Sequence, residues 1–168
     1  MTPNTEFLKK VSWFEDLDQR SLDAIANAAV EQSYQPGQDI IRQGDTGVGA
    51  FIIRSGKVDI LQEKGGATTK LATLGPGDVI GEMALLDGAP RSANCTTVSA
   101  VQAAGLSRKG LETLIEQQPR TAAKLLVGLG ARIAERLRAL GDQLQMYAAL
   151  VEDQQRTIEG LRGTRPSR

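Results

Sequence analysis

Between Gly81 and Ala93 the chain sets the carboxylate of Glu82 and the single guanidinium, Arg91, nine positions apart among small residues and a short apolar turn. An arginine fork grips a singly charged anion through two parallel N–H donors, and backbone N–H groups at the start of a short helix favour the same charge. A cyclic phosphodiester is such an anion. Arg91 is the candidate fork, with Ala84 and Ser92 as candidate amide donors. A ribose 2′-hydroxyl beside that phosphate offers a proton to a fixed carboxylate, and Glu82 can accept it. A purely structural reading stands beside this one, in which Arg91 and Glu82 pair with each other and the segment is a loop without a ligand.

The remaining chemistry is narrowed by what is missing. The chain contains no histidine, which removes His-based acid–base catalysis, Ser-His-Asp and Cys-His triads, and imidazole-ligated metals. One cysteine, Cys95, cannot form an internal disulfide or a thiolate cluster; burial as a small apolar residue is expected of it over a redox role. Two glycine-rich stretches fail as cofactor loops. Gly47-Val48-Gly49 is followed by Ile52 where a dinucleotide fingerprint needs its third glycine, and Gly75-Pro76-Gly77 has Ile80 there. Gly56-Lys57 is followed by Val58, and Phe51 stands where a phosphate loop needs its first glycine. No catalytic residue, no metal site and no cofactor apart from the ligand itself is expected, and the chain reads as a non-enzyme.

The elements that would hold the segment can be read from periodicity. Apolar residues Leu22, Ile25, Ala26, Ala29 and Val30 recur at helical spacing behind an N-cap at Asp18, predicting a helix over 18–30. Trp13, Phe14 and Leu17 form a non-regular elbow upstream. From Tyr34 to about Leu106 short β-rich runs alternate with turn signals at Pro36-Gly37, Gly44-Asp45, Ser55-Gly56, Gly65-Gly66 and Gly75-Pro76-Gly77-Asp78. Phe51, Ile53, Val58, Ile60, Leu71 and Val79 alternate along those runs, and Val98, Val101 and Ala103 continue the pattern. The fold class expected is mainly β with helices (α+β), an eight-stranded roll of the jelly-roll class flanked by N-terminal helices and a long C-terminal helix. Leu111, Leu114 and Ile115 mark a first C-terminal helical segment, which Pro119 separates from the long one. The organisation expected is therefore 1–118 for the roll, 119–163 for the long helix and 164–168 for a frayed tail, with Gly163 and Pro166 as the stop signals.

The 20 basic and 20 acidic side chains balance to zero net charge, so nothing global draws the chain to nucleic acid or to a membrane surface. The first residues lack the order of a signal peptide, and no apolar run approaches the roughly 20 residues of a membrane span. A cytoplasmic protein without nucleic-acid or membrane partners is expected.

With those residues in view, Gly81-Glu82-x-Ala84-Leu85-Leu86 followed by Pro90-Arg91-Ser92-Ala93 resembles the phosphate-binding cassette of the cyclic-nucleotide-binding domain family, which includes catabolite activators, regulatory subunits of cAMP-dependent kinase and cyclic-nucleotide-gated channels. The likeness runs from the Trp13-Phe14 elbow through the Gly37, Gly44, Gly56 and Gly77-Asp78 turns to the long helix. It implies that Gly81 and Glu82 hold the ribose hydroxyl, that Arg91 with the amides of Ala84, Ser92 and Ala93 holds the cyclic phosphate, and that the C-terminal helix caps the base. On that helix Leu140 and Gly141 stand where the catabolite activator has paired hydroxyls against adenine, so Leu140 is a candidate base contact, and Arg136 is a second. Ser92 after the arginine favours cAMP over cGMP, although a hydroxyl there can also reach a guanine amino group.

Two heptad columns in the long helix, Leu137, Leu144, Val151 and Ile158 beside Ile133, Leu140, Tyr147 and Leu161, predict a coiled-coil homodimer. Only a handful of residues follow this helix, too few for the helix-turn-helix domain that transcription regulators of this family append, and the neutral charge agrees, so no DNA reader is expected and a downstream protein partner is left open. The mechanism expected is a population shift in which the ligand fixes the joint near Pro119 and the long helix swings, with Gly128 and Gly130 as a hinge. Two rivals remain: a cupin-like enzyme on the same roll, which lacks its histidines, and a scaffold of the same fold that no longer binds a ligand.

Overall fold

The computed structural model describes residues 5–163; the expected frayed tail at 164–168 lies outside them. A short helix, α1 (Thr5–Leu8), and a 3-10 turn at Ser12–Phe14 lead into α2 (Gln19–Ala28). Eight strands follow: β1 (Ala29–Tyr34), β2 (Asp39–Ile41), β3 (Gly49–Ser55), β4 (Val58–Lys64), β5 (Ala67–Leu74), β6 (Val79–Ile80), β7 (Asn94–Thr97) and β8 (Val101–Ser107). Helix α3 (Glu82–Asp87) interrupts them between β6 and β7. The strands make two four-stranded sheets of order β1-β8-β3-β6 and β2-β7-β4-β5, antiparallel throughout. Packing the two inner faces together buries Ile41, Ile53, Val58, Ile80, Cys95 and Val101, so an α+β roll with an eight-stranded β core is what the chain forms. Cys95 is buried on β7.

Local chemistry explains most of the boundaries. The Asp18 carboxylate accepts the Ser21 N–H at 2.8 Å and opens α2; hydrogen bonds from Ser21 hold this carboxyl below its ordinary range. Helix α2 stops at Ala28, earlier than the 18–30 expected. Ala29 and Val30 instead start β1, where Val30 pairs with Gly105 and its side chain lies on the exposed face. Sheet pairing wins here over apolar spacing that a helix would equally satisfy. Leu71 lies on β5, an edge strand exposed along nearly its whole length. Val98 is not on a strand: it sits exposed in the bend between β7 and β8, and its N–H is bound by Lys57 O at 2.8 Å. That bend turns tightly over Gly56, whose φ of +87° and closeness to the Ala100 carbonyl leave no room for a side chain.

After β8, Ser107 caps α4 (Arg108–Gln117) by accepting the Gly110 N–H, and α5 (Pro119–Gly163) begins at a proline where a missing N–H costs nothing. The chain forms two compact units that divide between Gly128 and Leu129, inside α5. In the first unit the opening turns of α5 are tied to the N-terminal segment. The Ser21 and Thr121 hydroxyls meet at 3.0 Å in a buried pair, Lys124 Nζ donates to Asp16 O at 3.0 Å, and Gly128 lies against Trp13. Trp13 in turn donates to Gly77 O at 3.1 Å and packs on Phe14 with ring centroids 4.2 Å apart, so the expected aromatic elbow joins the roll to the helix start. In the second unit α5 continues as one helix. Leu137, Leu140, Leu144, Tyr147, Val151 and Ile158 are each more than half exposed there, while the Leu161 side chain lies outside the described residues. Among the described residues no helix is long and apolar enough to cross a membrane.

Candidate functional site

The cassette starts where β6 ends. Gly81 has a φ of +74° and directs the chain from the strand into α3. A Cβ there would overlap Arg91 Nη1 and come within 2.7 Å of Ile41 Cδ1, so this glycine is needed both for its backbone angle and for the room it leaves. Helix α3 buries Glu82, Ala84 and Leu85 and turns Met83 and Leu86 outward. The N–H groups of its first turn, Ala84 among them, have no acceptor within the helix. Gly88, at φ +71°, ends α3 with its N–H on Ala84 O at 3.1 Å.

The chain then returns along the loop between β2 and β3. Pro90 bridges Thr46, Arg91 N–H donates to Asp45 O at 2.9 Å, and Gly44 N–H donates to Arg91 O at 2.9 Å. With its backbone held on both sides, Arg91 lies 9% exposed and places Nη1 2.8 Å from Gly81 O. Burial pulls its guanidinium below the ordinary arginine range, and the nearby Cys95, Glu82 and Asp45 oppose that pull by favouring the charged form. Glu82 is only 4% exposed, so a carboxylate and a guanidinium share one largely desolvated corner. Next along the chain, Ser92 is exposed and Ala93 is buried.

The structure thus gathers Gly81, Glu82, Ala84, Arg91, Ser92 and Ala93 into one cradle built from the end of β6, α3 and the approach to β7. Its chemical capacity is to hold a small anion on a fixed cation with a carboxylate alongside. Arg136 and Leu140 lie one turn apart on α5 within the second unit, which is described by itself.

Two contributors went unrecognised in the sequence. A Cβ at Gly47 would overlap the Ala84 methyl and come within 3.1 Å of Arg91 Nε, so the 44–48 loop forms a wall of the cradle only because that residue has no side chain. Arg108, at the start of α4, donates from Nη2 to Ala84 O at 3.2 Å. The cluster of glycines from Gly44 to Gly49 was visible in the sequence; nothing there paired it with Arg91. A cavity of about 290 Å³ near Phe7, Val11, Arg54 and Pro76 shares no residue with the cradle.

The fold is shared with known proteins. Residues 31–118 match the family model described as cyclic nucleotide-binding domain. The Cyclic AMP receptor protein of Thermus thermophilus is 34% identical over 123 residues, covering 73% of this chain and 57% of that protein. The cGMP-dependent protein kinase of Toxoplasma gondii is 35% identical over 112 residues, 67% of this chain and 11% of the kinase. The crystal structure of the Thermus thermophilus catabolite activator protein matches with a TM-score of 0.70 at 33% identity, over 81% of this chain and 62% of that one. The chain therefore spans little more than half of one of these curated relatives and a ninth of the other.

Proposed function

The chain belongs to the cyclic nucleotide-binding domain family, and from that premise we propose that it is a non-enzymatic sensor that captures cAMP, in preference to cGMP, in the cradle of residues 81–93. The observation that carries the reading is Arg91: a nearly buried cation whose backbone is pinned on both sides and whose fork lies beside Glu82. In so desolvated a place a guanidinium attracts an anion more strongly than it would in water. In the bound state Arg91, with the N–H groups of Ala84, Ser92 and Ala93, holds the cyclic phosphate. Glu82 and the Gly81 backbone hold the ribose 2′-hydroxyl. Ser92, exposed and next to Arg91 in the chain, supports the preference for cAMP, and Arg136 and Leu140 are assigned to the base. Relatives named for each nucleotide are similar to this chain, so the preference rests on Ser92 alone.

The output we assign is movement of α5, through a shift between two positions of that helix. The exposed apolar columns of α5 support a homodimer formed through it, with a further protein partner reading the result in the cytoplasm.

Calorimetric titration with cAMP, cGMP and cyclic di-GMP tests the reading. Saturable binding of cAMP below millimolar concentration, tighter than that of cGMP, is the expected result. If none of the three binds, the chain is a scaffold of the same fold without a ligand. Sedimentation at micromolar concentration tests the dimer, and a monomer would overturn it.

A further inference from the structure

We propose that Arg108 is the positioning residue through which occupancy of the cassette is transmitted to α4 and the opening turns of α5; the proposal rests on the ligand-binding reading above. Arg108 is the first residue of α4 and touches the cradle twice. Its backbone N–H donates to Val48 O at 2.7 Å, at the end of the loop whose Gly47 lies against Ala84 and Arg91. Its Nη2 donates to Ala84 O at 3.2 Å, the carbonyl that also receives the Gly88 N–H at 3.1 Å. A charge-assisted donor on this carbonyl is stronger than a neutral one, and it ties the C-terminal end of α3 to the N-terminal end of α4. Gly88 leaves the guanidinium its place, since a Cβ there would lie 3.2 Å from Arg108 Nη2.

From Arg108 the path onward is stiff. A Cβ at Gly110 would lie 2.8 Å from Ala28 O, so α4 starts hard against the end of α2. Helix α4 closes at Gln118, whose N–H is bound by Leu114 O at 2.8 Å and whose carbonyl receives the Ala122 N–H of α5 at 3.0 Å. A ligand that fixes α3 therefore reaches α4 through the Arg108 side chain. Trp13, the single tryptophan, packs against Gly128 and stands where the end of that path can be read by fluorescence.

The test compares wild type with Arg108→Met, which keeps most of the stem and removes the donor. Amide exchange in α3 and α4 and Trp13 emission are followed with and without saturating cAMP. In wild type, cAMP is expected to slow exchange in both helices and to shift the emission. In Arg108→Met, at cAMP concentrations that saturate the variant by its own titration, α3 is still protected, while the protection of α4 and the emission shift fall by at least about fivefold, the lower end of ordinary coupling factors. Arg108→Lys, a point donor in place of a fork, should restore part of the transmission. Transmission at the wild-type level in Arg108→Met overturns the proposal. Faster exchange of both helices by equal factors with and without ligand also overturns it, because that is the mark of a residue that only stabilises. If Arg108→Met fails to melt cooperatively, Arg108→Lys is read in its place, and full transmission there counts against the proposal. A wild type that binds no cyclic nucleotide fails at the titration, before any variant is compared, and so sinks the functional reading separately.

Discussion

The cassette and the distal part of α5 use their side chains in opposite directions. Residues 81–93 turn Glu82 and Arg91 into the molecule, where each is less than a tenth exposed. The helix beyond Leu129 turns Leu137, Leu144, Val151 and Ile158 out of it, each more than half exposed. Burying charge costs several kcal/mol per ion unless it is met, and exposing apolar columns forgoes about 25 cal/mol for every Å² left in water. Each region is suited to a different kind of partner, one to a small anion and the other to an apolar surface. The first asks for a ligand of a definite charge and shape. The second asks only for something apolar of matching period.

Removing the fork breaks this comparison most sharply. Arg91→Ala is expected to cost roughly 3–5 kcal/mol of cAMP binding, or about 200- to 5,000-fold in affinity, because the phosphate loses its partner in a desolvated corner. Calorimetry on wild type and variant measures it. A loss below about 1 kcal/mol, the range of exposed ion pairs, would show that Arg91 acts as a surface charge and that the cassette resembles the distal helix more than its burial suggests.

The two regions also differ in how far their residues could be read from sequence. Glu82 and Arg91 were legible because a lone guanidinium following a carboxylate in a run of small residues has few uses, and the short spacing keeps them on one folded segment. The heptad columns were legible because periodicity is a local property. Gly47 and Arg108 were not, because each acquires its role from a residue far along the chain: Gly47 from Arg91, Arg108 from Ala84. Val30 and Val98 failed for a related reason. Alternation shows that a side chain can be buried, whereas the neighbouring strand decides whether it is, and β5, which carries the exposed Leu71, has a neighbour on one side only.

Gly47 sharpens the cassette side of the comparison. An added methyl would overlap the Ala84 methyl, which α3 holds in place, and press on the Arg91 guanidinium. Gly47→Ala should therefore destabilise the roll by about 1–3 kcal/mol, the usual cost of overpacking, and should weaken cAMP binding as well by shifting the fork. Urea unfolding and calorimetry separate the two effects. An unchanged midpoint with unchanged affinity would mean that the 44–48 loop yields freely and is no wall.

The smallest expected effect lies at the border between the two compact units, where Gly128 and Gly130 are two residues apart on one helix. Both cost the helix about 1 kcal/mol relative to alanine, and a hinge would account for both alike. Their surroundings differ. A Cβ at Gly128 would lie 2.7 Å from Trp13 Cε3, and Trp13 is held by its bond to Gly77 O and its packing on Phe14. A Cβ at Gly130 would meet nothing within 4 Å. Gly130→Ala is therefore expected to raise stability by up to about 1 kcal/mol. At Gly128 the same gain is set against about 1–3 kcal/mol of overpacking, so Gly128→Ala should leave stability unchanged or lower it, with a change in Trp13 emission. Equal stabilisation by both substitutions, with emission unmoved, would show that Trp13 gives way and that Gly128 is not kept for packing. Opposite signs would make Gly128 part of the tightly packed regime of the roll, and would leave Gly130 as the one glycine of the pair for which flexibility is still the better explanation.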